Sequence, residues 1–212
     1  MRKSERQKIV PQEGVGADES LGFPVSRQAI GKTSANFRTV RLVFTSLDRV
    51  EVVPTWGARI FFGLFVGMGL AGVILAGTVR VTDPELESRV GPWFAGVIGS
   101  LFALLGLAGC TGLLVGRYAL DRQSGLITKK VWQRGLFRGG LGVELSRVAA
   151  VQACSRHVTD SDWSYWCHEL NLVLNDPPGE RINLMSHGNQ QRLLEDANRL
   201  AEFLHVRLLM HA

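Results

Sequence analysis

The sequence predicts an α+β chain built from a two-helix membrane hairpin, a small antiparallel sheet and one closing helix. Three observations carry that reading. Two long runs lack charge, several short segments alternate apolar and polar residues, and the last stretch repeats apolar residues at helical spacing.

The runs come first because apolar residues make up 46% of the 212 residues and are concentrated in them. Between Arg59 and Arg80 lies "IFFGLFVGMGLAGVILAGTV", and between Arg89 and Arg117 lies "WFAGVIGSLFALLGLAGCTGLLVG", neither with a charged residue. Each is about as long as a helix must be to cross ~30 Å of hydrocarbon. The reading places spans at 58–81 and 92–116, joined by an external connection at 82–91. Two buried helices of a soluble core would need a larger protein around them than the remaining segments supply.

Glycines are frequent in both runs, as they are where helices approach closely in lipid. Gly63 and Gly67 share one helix face, as do Gly112 and Gly116. These faces are expected to pack the two helices together, with homodimerisation the less favoured use.

Basic residues set the orientation. Arg38, Arg41, Arg49 and Arg59 precede the first run, and Arg117, Arg122, Lys129, Lys130, Arg134 and Arg138 follow the second, whereas the linking segment "RVTDPELESRVGP" holds two arginines against three acids. The positive-inside rule then puts both termini in the cytoplasm. Trp56 and Trp93 stand where each run begins, at headgroup level. No apolar stretch follows the basic start "MRKSERQK", so a cleaved signal is not expected. Cys110, Cys154 and Cys167 read as free thiols of a reducing compartment.

Residues 1–35 lack periodic apolar residues and read as a disordered tail. Within it "GKTS" imitates the end of a phosphate loop, but Ser26 occupies the place of the loop's first Gly and no strand leads in. In 36–55, Val40, Leu42 and Phe44 alternate with Thr39, Arg41 and Val43, and "RVEVV" follows a turn near Ser46 to Asp48: a β-hairpin stopped by Pro54. Two strands alone are marginal in water, so it needs a partner sheet, which must come from beyond Arg117.

There, "RYALDRQSGLITKKVWQR" reads as two strands about a turn at Gln123 to Gly125. "GLFRGGLG" reads as loose, and "VELSRVAAVQACSRHV" supplies one or two more strands. In "CHELNLVL", Leu170, Leu172 and Leu174 share one face while Cys167, Glu169 and Asn171 share the other. Pro178 and Gly179 suit a type II turn, after which Ile182 and Leu184 are apolar and Arg181 and Asn183 polar. Finally Leu193, Leu194, Ala197, Leu200, Ala201 and Leu204 recur as a helical stripe at about 189–204, with Ser186 or Asn189 as the cap.

The strand parity also tests the one metal-like cluster. Cys167 and His168 are strand neighbours and point to opposite faces, so both cannot reach one metal without a bulge. Glu169 is expected to pair across the hairpin with Arg181, and His187 to lie past the strand end. Cys154 and His157 have chelating spacing only in a loop. No catalytic, cofactor-binding or metal-ligating residue is therefore assigned. From Arg117 onward twelve basic residues face ten acidic ones, which is no stripe for nucleic acid, and the two runs between the flanking arginines carry no charged residue to mark a transport path.

The segments "LDRQSGLI", "LSRVAAVQ", "HELNLVLNDPPGERINLMSHGN" and "LLEDANRLAEFLHV" resemble the bacterial pleckstrin-homology-like (PH-like) membrane proteins, in particular two-span members. The resemblance implies a cytoplasmic PH-like antiparallel β-sandwich or barrel over 117–209, capped by the C-terminal helix, with seven strands in two crossed sheets and the 36–55 hairpin supplying two of them. His205 stands where Gly usually ends the helix, and "DPPGE" is longer than a simple Asp-Gly turn. The resemblance further implies an uncharacterised bacterial inner-membrane, multi-pass scaffold or accessory subunit, not an enzyme, with the lipid bilayer and a membrane-protein partner or second copy as its contacts. The alternative is a lipid- or small-ligand-binding sensor, with Lys129, Lys130, Arg134 and Arg138 as candidate contacts for anionic headgroups. Their basicity is equally accounted for by topology and general attraction to the membrane surface.

Overall fold

The computed structural model describes residues 21–31, 38–82, 90–114, 117–133, 136–139, 142–159 and 164–211. They form an α+β chain with three helices and two sheets. It divides into two units: one comprises residues up to Val52, Tyr118–Thr128 and everything from Leu141, the other Val53–Arg117 with Lys129–Gly140.

In the first unit, the longest strands are β7 (Val148–Thr159) and β8 (Ser164–Asn175), paired antiparallel along their length. β9 (Pro178–His187) follows on the far side of β8. A second sheet is made by β1 (Val40–Ser46), β2 (Arg49–Pro54), β3 (Arg117–Asp121) and β4 (Leu126–Gln133) in that order, with the short β6 (Val143–Glu144) also on β4. β2 pairs antiparallel with β3, Val50 opposite Leu120, so strands that flank the apolar runs in sequence are neighbours in one sheet. One core collects side chains from both sheets and the C-terminal helix: Leu42, Val50, Leu120 and Ile127 meet Val151, Leu170, Leu172, Leu193, Leu200 and Phe203.

That helix, α3 (Gln190–Leu204), begins as the sequence allows. Asn189 is its cap, its Oδ1 accepting the Arg192 N–H at 3.0 Å, one of the N–H groups a helix start leaves without a partner. At its other end His205 takes the left-handed conformation at φ 56°, where Gly would be easier, and its N–H bonds to the carbonyls of Ala201 and Glu202. The chain then enters β10 (Arg207–His211), which pairs parallel with β7. The expected all-antiparallel sheet is corrected here: the helix carries the chain back along the sheet, and its last residues close the β7 edge.

Two further corrections concern irregular pairing. "GLFRGGLG" holds a strand, β5 (Leu136–Gly139), paired with Lys130–Gln133 of β4 within the second unit. The β8–β9 turn lies at Asp176–Pro177, a cis peptide, and not at Pro178–Gly179, which already belong to β9. Gly179 takes φ +78° where the register slips between Val173 and Asn175. A second slip leaves Leu184 as the extra residue: Leu170 faces Met185, and Asn171 faces Asn183. A bulge reverses the parity beyond it, so Met185 and His187 take the core side. His187 is the last strand residue, directly opposite His168, and not past the strand end.

The second unit contains α1 (Trp56–Thr82) and α2 (Val90–Leu114). Both are long and apolar enough to cross a membrane, and their outward side chains are apolar and exposed, Leu64 at 60% and Leu104 at 66% among them. The helices touch through glycines other than those expected. A Cβ on Gly99 would stand 2.7 Å from the Gly69 carbonyl and 2.9 Å from the Val73 nitrogen; one on Gly106 would meet Val66; and Gly109 abuts the Phe62 ring. Gly63, Gly67 and Gly112 face open space, while Gly116 lies outside the described residues. The correction is geometric: Gly69 is six residues after Gly63, about 240° round a helix of 3.6 residues per turn. Phe65 and Phe102 stack across the pair, ring centroids 5.5 Å apart.

Candidate functional site

The β8 strand is buried on both faces from Cys167 to Leu174, which alternation alone does not predict. One face is the core. The other carries Cys167, Glu169, Asn171 and Val173, joined by Ala150, Gln152, Cys154 and Arg156 of β7 and by Arg181 and Asn183 of β9. Gln152, Glu169 and Asn171 are fully buried there. Their cover is the segment 21–31, which lies on this face without being a strand of it. The expected tail therefore does not run unbroken to residue 35.

Side chains of the sheet hold this strap by its main chain. The Glu169 carboxylate accepts the N–H of Ile30 at 2.9 Å and of Gly31 at 3.1 and 3.0 Å. Arg181 Nη1 donates to the carbonyls of Ser26 and Gln28, at 2.9 and 2.6 Å, and Gln152 Nε2 donates to the Ser26 carbonyl at 2.9 Å. Asn183 and Asn171 complete the ladder: Asn183 Nδ2 donates to Asn171 Oδ1 at 2.8 Å, and Asn171 Nδ2 to Gln152 Oε1 at 3.4 Å. Buried polar groups are costly unless bonded, and here Gln152, Glu169, Asn171, Arg181 and Asn183 each bond to another ladder member or to the strap. Apolar contact is limited to one small cluster, in which Val25 is buried against Ala150, Val173 and Leu209, with Leu21 and Phe23 at its side.

This face carries one carboxylate, Glu169, and two guanidinium groups, Arg156 and Arg181. Glu169 does not pair across the hairpin with Arg181: the register from the turn at Asp176–Pro177 sets Val173 opposite Arg181, and Ser186 stands opposite Glu169. Its ion partner is Arg156, whose Nε lies 3.3 Å from Oε1 on the neighbouring strand. Burial lowers the Arg181 pKa from its ordinary value, against the attraction of nearby Cys154 and Glu169. The Cys154 thiol is pushed up to about 12, first by burial and then by the negative charge of Glu169. A thiol so disposed is a poor nucleophile, which needs the thiolate.

On the core face, His168, His187, Ser155, Arg38 and Asp196 form a second polar group. Ser155 Oγ and His168 Nδ1 share a hydrogen bond of 2.7 Å. The Asn189 N–H donates to His187 Nδ1 at 3.2 Å, and Arg38 forms an ion pair with the buried Asp196. The His187 pKa is lowered to about 4, by burial first and then by the charges of Arg38 and His168. Burial also lowers the His168 pKa, while for Asp196 burial outweighs Arg38 and raises it. A serine on a histidine is half of a hydrolytic device, but among the described residues no carboxylate bonds His168 to orient it.

The structure separates the remaining candidates. Cys167 faces the strap and His168 the core, as their parity requires; Cys154 and His157 are three apart within β7, on opposite faces. Among the described residues no three His, Cys, Asp or Glu side chains are placed to hold a metal. Lys129 is exposed on β4. Lys130 lies opposite Gly139, and Arg138 opposite Val131, in the β4–β5 pairing, whereas Arg134 lies outside the described residues. Sequence reasoning missed Glu169, Gln152, Asn171 and Arg181 as a set because a polar strand face reads as solvated. The only signal was the tail's "FPV", an apolar patch in a polar stretch.

No family model, curated protein or solved structure gives a significant match to this chain.

Proposed function

We propose that the chain is a non-catalytic scaffold or accessory subunit of the bacterial inner membrane, anchored by α1 and α2 with both termini in the cytoplasm. Its cytoplasmic domain works by protein–protein contact. One observation carries this reading: among the described residues, a cluster of polar side chains, Gln152, Glu169 and Arg181, grips the main chain of residues 26–31. The exposed apolar sides of both long helices support the anchor. Two sheets sharing a core closed by a C-terminal helix support the PH-like reading of the domain.

The test is purification of the tagged full chain from membranes in mild detergent, with quantification of what accompanies it. A protein partner at fixed stoichiometry is the expected result. A chain that is extracted by alkaline wash without detergent, or that purifies alone from every membrane preparation, contradicts the proposal.

A further inference from the structure

We infer that the outer face of β7, β8 and β9 is a recognition groove for an extended segment of a partner protein, and that residues 21–31 occupy it as a resident pseudo-ligand. The inference rests on the scaffold reading and names its contact surface.

The first support is the manner of binding. Among the described residues, the hydrogen bonds from the sheet to the strap go to the strap's main chain: the carbonyls of Ser26 and Gln28, and the N–H groups of Ile30 and Gly31. Such contacts belong to any extended chain of suitable shape, with side-chain pockets adding selectivity, as in other modes of peptide recognition. Two consecutive N–H groups converging on one carboxylate fix the polarity and register of the occupant.

The second support is what the groove would be without its strap. Gln152, Glu169, Asn171, Arg181 and Asn183 are polar, so opening returns them to water in place of main-chain partners. The apolar part of the contact is small, Val25 being the one strap residue wholly buried. A layer meant never to open is commonly better served by apolar packing, which often matches or exceeds buried polar pairs in stability.

The occupant is also specified. An apolar residue must fill the place of Val25 beside Ala150, Val173 and Leu209. Six residues later Gly fits best, because a Cβ on Gly31 would stand 2.7 Å from Glu169 Oε1 and force the carboxylate away from the Ile30 and Gly31 N–H groups it accepts from. A carboxylate close to that point would meet Glu169 and be disfavoured. The partner segment is thus extended, without a carboxylate beside Glu169, apolar at the first anchor and best as Gly at the last. The strap, being covalently attached, competes at high effective concentration, so binding in trans is weak until the strap is loosened.

The experiment uses the full chain in mild detergent and a fluorescent synthetic peptide of sequence LGFPVSRQAIG, read by anisotropy. Two chain variants, Val25→Asp and Gly31→Leu, loosen the strap from opposite ends, and the measurement uses whichever keeps a cooperative thermal transition. Expected are at least tenfold tighter peptide binding to the loosened variant than to the unaltered chain, and at least tenfold weaker binding of a peptide carrying Leu in place of its final Gly. Equal affinity for the two chains, or indifference to that Gly, overturns the inference; so does loss of cooperative folding in both variants, which would make the strap an integral layer. A dimer of the unaltered chain that the peptide dissolves would assign the groove to a second copy and overturn the partner assignment. The readout does not involve a natural partner: absence of any co-purifying protein would remove the scaffold reading and leave peptide binding intact, whereas failed peptide binding removes only the groove.

Discussion

Gly31 donates its main-chain N–H to both carboxylate oxygens of Glu169, at 3.1 and 3.0 Å, across 138 residues of sequence. With Ile30 N–H at 2.9 Å on the same group, this is where the N-terminal segment is pinned to the sheet. Hydrogen bonds to a charged group contribute about 1.5–3 kcal/mol. Glu169→Gln keeps the shape but removes the charge and one acceptor. Amide hydrogen exchange at Ile30 and Gly31 should then accelerate about ten- to a hundredfold, at 1.4 kcal/mol per factor of ten, with α3 amides unchanged. Unaltered protection at those two amides would show that the carboxylate does not hold the strap.

Stability should depend on His187 between pH 6.5 and 4. Its pKa falls from 6.5 to about 4 on folding, so in that window the unfolded chain binds more protons and acidification favours unfolding. The loss reaches up to about 3 kcal/mol at pH 4, at 1.36 kcal/mol per unit, and vanishes above pH 6.5. His168, also lowered, acts in the same direction; Asp196, raised, opposes it as it protonates. Denaturant melts of the chain and of His187→Asn should converge as pH falls from 7 to 4. Parallel curves over that range would mean that His187 is solvated.

Helix pairing should depend on the glycines that touch and not on those with equal spacing. Gly99→Leu places a side chain where the Gly69 carbonyl and Val73 nitrogen already stand, whereas Gly63→Leu enters open space. Cysteines at positions 76 and 96, where a Cβ on Gly96 would lie 3.4 Å from the Ala76 Cβ, report contact by oxidative cross-linking. The yield should collapse in the Gly99→Leu background and persist with Gly63→Leu. Equal yields would reject this interface.

What the sequence disclosed followed from periodicity. The two uncharged runs were legible from their length and lack of charge, while the alternation in "RLVF" and "RVEVV" and the stripe from Leu193 to Leu204 each reflect one buried face, and such patterns are written in the residues themselves. The cap was legible as one of two candidates, Ser186 or Asn189, because few residue types suit that position, whereas the left-handed His205 was not, since Gly usually stands there. Bulges were not legible. Leu184 is apolar on either parity, so nothing in "RINLMSHG" tells that one residue is extra, and with it went the facing of His187. The covered polar face was hidden for a related reason: a strand face bonded to a strap and one bonded to water have the same composition. β10 was missed because five residues after a helix carry too little pattern to stand apart from its end. Among the helix glycines, many i, i+4 pairs exist by composition alone, and contact selects among them only once the helices meet.

The central claim is that α1 and α2 form a membrane hairpin holding the sheet domain in the cytoplasm, and paired topology reporters test it most directly. A reporter that fluoresces only in the cytoplasm, fused after Ala212, should be bright, and one active only outside should work when inserted near Glu87. Activity of the external reporter at Ala212, or cytoplasmic fluorescence from the insertion near Glu87, would contradict the hairpin and with it the anchored scaffold.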